Sequence, residues 1–176
     1  MASAFGHAIV SYTLKKLSLP DAPVKVTFLA IFCSIIPDAD VIAFKFGIPY
    51  GHMFGHRGIT HSIFFGVFFG FLISSIFHRK HQFKYAILYI AATISHPILD
   101  AMTTGGKGVA IFAPFSDERM FLPWRFIKVS PMSVKRFFSD WGVEVLISEW
   151  IYLWLPCLFI LFLIAVKSKF QKSVAD

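Results

Sequence analysis

Three short runs carry side chains that could do chemistry: Pro37-Asp38-Ala39-Asp40, His56-Arg57-Gly58-Ile59-Thr60-His61 and Ser95-His96-Pro97-Ile98-Leu99-Asp100. Imidazoles mixed with carboxylates are the donor set of zinc and other divalent transition metals. Each run sits at the edge of an apolar stretch. An acidic side chain near the centre of a membrane helix costs about 2.5–3.5 kcal/mol on insertion scales, so Asp38 and Asp40 after the run 26–36, and Asp100 closing the run 85–99, need compensation. A bound cation supplies it. His96 and Asp100 are four residues apart, roughly 40° on a helix of 3.6 residues per turn, so both can reach one ion. Asp38 and Asp40 are two apart, on opposite sides of an α-helix but on the same side of extended chain, and Pro37 disfavours helix at Ile36. The spacing therefore predicts that the helix stops there. Pro97 weakens its own helix by removing a donor and crowding the Thr93 carbonyl, which predicts a broken helix end at the site. Thr60 is suited to cap the helix after it, with His56 on the loop and His61 in the first turn.

These residues must be positioned by membrane helices. With 56% hydrophobic residues, 22 Phe and 15% charged residues, the chain falls well short of the charge of an ordinary soluble domain. The expected fold is all-α and polytopic, a single domain over 1–176 with about four transmembrane helices near 24–44, 59–77, 83–102 and 147–166. An N-terminal amphipathic helix precedes them, with Phe5, Ile9, Tyr12 and Leu17 interleaved with His7 and Lys15. Lys15 and Lys16 follow its apolar part, the reverse of a cleavable signal, so it is expected to be retained. A serpentine chain brings the three runs to one membrane face whichever way it is oriented. The loop 103–142, Glu144 and Glu149 lie on that face too. Cys33 and Cys157 fall inside spans and act as small apolar residues. The turn 78–84 and the tail 167–172, which includes Lys172, are densely basic, which favours a cytoplasmic N-terminus and a periplasmic site face. The net charge of +7 then reflects topology and anionic lipid, not nucleic acid.

His7, Asp38, Asp40, His56, His61, His96 and Asp100 are the candidates this topology gathers, with Glu149 joining the ligand set. Each has a plainer reading: an intramembrane His often bonds a neighbouring helix, and an Asp after Pro often caps a turn. His52 is a rim residue of a Gly-rich loop, and His78 and His81 lie on the opposite face. Gly105-Gly106-Lys107-Gly108 lacks the spacing of a phosphate loop and serves as a flexible turn. The stretch 111–129, with Phe112, Phe115, Phe121, Leu122, Trp124 and Phe126 among Arg119, Arg125 and Lys128, reads as an interfacial lid over the site. Arg57, between candidate ligands, could hold an anion or anchor to headgroups.

Together, His56-Arg57-Gly58-x-Thr60-His61-Ser62, Pro37-Asp38-x-Asp40, and Ser95-His96-x-x-Leu99-Asp100 followed by Thr103-Thr104-Gly105 and Pro114-Phe115-Ser116 resemble the YdjM-like family of membrane-bound, metal-dependent hydrolases. The resemblance runs over about 7–156. At longer range it is similar to the zinc-dependent phospholipase C superfamily, helical phosphoesterases whose metals are held by His and Asp. The resemblance implies a bacterial inner-membrane protein and a ligand pair His96/Asp100, with His7, Asp40 and His61 in earlier ligand roles. A second His-x-x-x-Glu pair is missing, because Glu149 has no His four residues before it. The expected function is hydrolysis of a phosphoester, a phospholipid among them, at the membrane surface with one or two divalent ions, zinc by donor type. Asp38 is expected to orient or deprotonate the attacking water and Arg57 to steady charge in the transition state. A divalent-metal transporter or sensor would use the same ligands reversibly, and a structural membrane protein with buried polar glue would bind no metal.

Overall fold

The structure, a computed structural model, describes residues 1–175; side chains from Lys172 onward, and that of Val134, lie outside what is described. It is helical, and among the described residues extended pairing is limited to two isolated bridges, Thr103 with Ile127 and Val109 with Met120. Helix α1 (Ala4–Ser18) begins at Ser3, whose hydroxyl accepts the Gly6 N–H, and ends with Lys15 and Lys16 in its last turn. It does not lie flat with its apolar side down. His7, Ser11, Thr13 and Lys15 turn inward against the helices Val24–Ile35, Gln82–Ala101 and Leu155–Ala175, whereas Phe5 and Leu17 are exposed. Thr13 donates to the Ile9 carbonyl and Lys15 to the Pro20 carbonyl, so with hydrocarbon outside these polar groups are satisfied within the protein.

Helix α2 (Val24–Ile35) buries Val26, Ala30, Cys33 and Ser34 along one stripe and leaves Phe28 and Phe32 outside. The chain does not extend at Pro37. It tightens instead into a 3-10 run, Ile36–Phe46, that ends at Gly47 with φ 73°. Pro37 lies in the first turn of that run, where a missing N–H costs little, so the helix changes pitch without stopping. At three residues per turn, Asp38 and Asp40 point about 120° apart. Both reach His61, Asp38 at Nε2 and Asp40 at Nδ1, and beyond it Asp38 faces His96 and Asp40 faces His56.

A short 3-10 turn (Ile59–His61) leads into α3 (Ile63–Phe77), whose N-cap is Ser62 and not Thr60: the Ser62 hydroxyl accepts the Phe65 N–H at 3.0 Å. Thr60 is spent elsewhere. A 3-10 turn at Arg79–His81 then opens α4 (Gln82–Ala101), which runs unbroken through Pro97. One lost donor does not end it, and His96 and Asp100 stay on one face. Gly66 and Gly70 let α3 approach α4 closely: a Cβ at Gly70 would stand 2.4 Å from the Ile90 nitrogen, and one at Gly66 2.5 Å from Ile94 Cγ1. Small residues four apart are how membrane helices close on one another. The opposite face of α3 exposes Phe64, Val67, Phe68, Phe71, Leu72 and Ile76.

After the loop come α5 (Val134–Phe137), α6 (Asp140–Glu149), a π turn (Trp150–Trp154) and α7 (Leu155–Ala175). The widened turn places the Leu155 N–H on the Trp150 carbonyl just before Pro156, whose ring would crowd a regular α turn. Two helical stretches are long and apolar enough to cross a membrane: Val24–Phe46, 23 residues at mean hydropathy 1.9, and Asp140–Gln171, 32 residues at 2.1. Ile63–Phe77 is apolar but only 15 residues, roughly 22 Å of rise against about 30 Å of hydrocarbon.

Candidate metal centre

One end of the bundle gathers the three runs. Asp40, from the 3-10 segment after α2, is the hub of the outer part. Its Oδ1 accepts from His56 Nδ1 at 2.6 Å, and its Oδ2 from the Arg57 N–H at 3.0 Å and the Thr60 hydroxyl at 2.7 Å. His61 Nδ1 stands 3.1 Å from that same Oδ2 and 3.1 Å from Thr60 Oγ1. Since the single Thr60 proton goes to Asp40, the hydroxyl can only accept from His61. Nδ1 of His61 therefore carries a proton, and in a neutral ring Nε2 is bare.

The same reasoning fixes His96. Its Nδ1 is 2.7 Å from the Ser34 carbonyl, which only accepts, so in a neutral ring its Nε2 is bare as well. The two bare nitrogens face each other at 3.0 Å. Two lone pairs at that distance in a dry interior repel unless a cation lies between them. Asp38 Oδ1 stands 3.5 Å from His61 Nε2 and 3.4 Å from His96 Nε2, and Asp100 Oδ2 stands 3.7 Å from His61 Nε2. Neither oxygen has a hydrogen-bond partner. The four donor atoms lie within 4.8 Å of one another. A tetrahedron around zinc with bonds of 2.0–2.1 Å has edges of about 3.3 Å, close to these separations. The residues present fit a divalent ion.

Asp100 is held from two sides. Oδ1 accepts the Ala2 N–H at 2.7 Å, and Arg57 Nε sits 3.1 Å from Oδ2 as an ion pair not aligned as a hydrogen bond. Arg57, at φ 62°, is fully buried and its other nitrogens are engaged: Nη1 donates to the Gly105 carbonyl and Nη2 to Thr103 Oγ1, each at 3.0 Å. Gly106, at φ 95°, lies so close that a Cβ there would meet Arg57 Nη1 at 2.7 Å. Arg57 thus locks the Gly-rich turn to Asp100. Arg119 fastens the loop over this end by donating to the carbonyls of His56 and Tyr50, both at 3.0 Å. Tyr50 packs edge-on to His56 at 5.2 Å; burial raises its phenol above the ordinary value, with the Arg57 charge pulling the other way.

Of the residues singled out in the sequence, Asp38, His61, His96 and Asp100 share the central group, while Asp40, His56 and His61 form an adjoining one. His7 stacks flat on His96, centroids 3.8 Å apart, with Nε2 3.5 Å from Asp100 Oδ1. Glu149 faces α1, accepting the Ser3 N–H and hydroxyl, and belongs to neither group. Asp38 stands with the facing imidazoles and not apart from them. His78 and His81 lie at the other end of α3 and α4. Ser34 completes the site without any signal in the sequence; Thr60, Thr103 and Arg119 read there as a helix cap, a motif residue and a lid residue, and their contacts to Asp40, Arg57 and the His56 carbonyl are not foreseen.

The family model described as YdjM inner membrane protein matches residues 2–173. The inner membrane protein YbcI of Escherichia coli (strain K12) is 40% identical over 137 residues, 76% of this chain and 79% of that one. No solved structure matches.

Proposed function

The chain belongs to the YdjM inner membrane protein family, and from that premise we propose that it is a membrane-bound, metal-dependent hydrolase of phosphoesters at the membrane surface. The observation that carries the reading is the pair of bare Nε2 atoms of His61 and His96, 3.0 Å apart, with the unpartnered oxygens of Asp38 and Asp100 beside them. Asp38, His61, His96 and Asp100 are the ligands in this reading. Held by these residues, a divalent cation, zinc by donor type, would bind a water as a further ligand, lower its pKa toward neutrality and offset charge on a phosphoryl oxygen. Asp40 fixes the tautomer and ring angle of His61, and Arg57 holds Asp100 in place. The donors already on Asp40 leave it little capacity for a second ion, which favours one metal over two. Asp38 has 11% of its side chain exposed while the other three ligands have none, so substrate and water approach from its side. Oδ1 of Asp38 faces the histidines, leaving Oδ2 to take a proton from water.

The reading places four helical crossings in the bilayer, with the N-terminus cytoplasmic and the metal end periplasmic. It rests on the exposed apolar faces of α2, α3 and α7 and on the basic turn and tail at the opposite end. Detergent-purified protein, stripped of metal and reloaded with zinc, is expected to hydrolyse a generic phosphodiester, and His96→Ala to abolish it. Failure to cleave any phosphomonoester, phosphodiester or phospholipid with any divalent metal would overturn the enzyme. The complete burial of His61, His96 and Asp100 supports a second reading, in which a tightly held ion ties α2, α3 and α4 together. Under that reading metal removal lowers the melting temperature steeply and no turnover is found.

A further inference from the structure

The opposite end of the bundle carries a feature that the metal centre does not use. At the metal end α1 lies against the segment leading into α7, Gly6 being so close to Leu153 that a Cβ would meet it at 2.9 Å. At the far end a cleft of about 480 Å³ opens between α1, the turn after it and α7. Part of its lining is apolar, Leu17 on one side and Ile160, Leu163 and Ile164 on the other, and Ser168 and Gln171 add polar groups from α7. Lys16 from α1, Lys167 from α7 and Asp21 from the turn line it as well. Ile160, Ile164 and Lys167 are spaced four and three apart, so α7 presents a single face that runs from apolar to cationic over about two turns.

We propose that this cleft binds an anionic phospholipid, its phosphate between Lys16 and Lys167 and an acyl chain along Ile160, Leu163 and Ile164. Charge and depth pick this occupant. Two ammonium groups against one carboxylate leave a single net positive charge, which suits a monoanionic phosphodiester headgroup, and Asp21 is placed to accept hydrogen bonds from headgroup hydroxyls such as those of a glycerol. A free phosphate would satisfy the lysines and leave the apolar part of the lining uncovered. The inference rests on the four-crossing arrangement proposed above, in which the cleft lies at the headgroup layer of the cytoplasmic face, where each Lys near an anionic surface adds affinity.

The test uses the full chain in detergent, with retained lipid read by native mass spectrometry after incubation with phosphatidylglycerol or phosphatidylcholine. Wild type is expected to retain phosphatidylglycerol in preference, and a Lys16→Glu/Lys167→Glu protein to bind it about thirtyfold more weakly, with metal content and melting temperature unchanged. Lys80→Glu, in the basic turn but outside the cleft, should bind as wild type does. Equal retention of both lipids, an equal loss in Lys80→Glu, or displacement of the lipid by inorganic phosphate at millimolar concentration would each overturn the site. Should the double variant fail to fold, Lys167→Gln alone is expected to weaken phosphatidylglycerol about fivefold, and unchanged binding there is equally fatal.

Discussion

His61 and His96 point their Nε2 atoms at each other across 3.0 Å while each Nδ1 is committed to an oxygen, of Asp40 and of Ser34 respectively. That commitment makes the arrangement informative. A histidine free to choose its tautomer would donate to its neighbour and need nothing more, whereas two rings fixed with bare nitrogens inward require a positive charge between them.

Metal content should follow these contacts. His61→Ala, His96→Ala and Asp100→Ala are each expected to strip most of the bound metal from the purified protein, by elemental analysis, and His81→Ala to leave it unchanged. Equal content in all four proteins would remove the site.

Asp40 and Asp38 should part company. Asp40→Asn leaves the four proposed ligands in place but loosens His61, so metal affinity is expected to fall about 10–100-fold, the range for partners that orient a ligand. Asp38→Asn replaces a carboxylate oxygen facing both imidazoles and should cost more. Competition with a chelator of known affinity measures both. An Asp38→Asn protein that keeps wild-type affinity would return Asp38 to a role outside the ligand set.

The sequence carried the gathering of the three runs, because motifs at the end of one span and the start of the next must share a face, and because residues four apart on a helix share a side. It did not carry what depends on distant partners. Thr60 looks like a helix cap until Asp40, twenty residues back, takes its proton. Arg57 looks free to hold an anion until Thr103, Gly105 and Asp100 surround it. Glu149 looks like a ligand until Ser3, 146 residues away, claims both its oxygens. The pitch change at Ile36 was also hidden: Pro37 predicts a stop, but a proline in the first turn of a tighter helix forfeits nothing.

Close approach of α3 and α4 supports the site from below, through Gly70. Gly70→Ala would set a Cβ 2.4 Å from the Ile90 backbone nitrogen, which cannot swing aside as a side chain would. The expected cost is about 1–3 kcal/mol, seen as a lower melting temperature in detergent. Gly51→Ala is the control. It has no atom within 4 Å of the added carbon and should change stability by less than about 0.5 kcal/mol.

Orientation can be read from two exposed positions at opposite ends. His81 lies in the basic turn between α3 and α4, and Phe115, 84% exposed, lies in the loop over the metal end. Cys33 and Cys157 are buried and unpaired, so they can be replaced to give a cysteine-free background. Positive charge is retained on the cytoplasmic side of a bilayer, so the proposed orientation has the turn at 79–81 and the α7 tail inside. In intact cells, His81→Cys is therefore expected to be shielded from an impermeant thiol reagent and Phe115→Cys to be labelled. The reverse pattern would turn the molecule over and put the metal end in the cytoplasm, with the gathering of ligands unaffected. Labelling of both would mean that α3 and α4 do not cross, and α3, at 15 residues, would then be a re-entrant or interfacial helix and not a span.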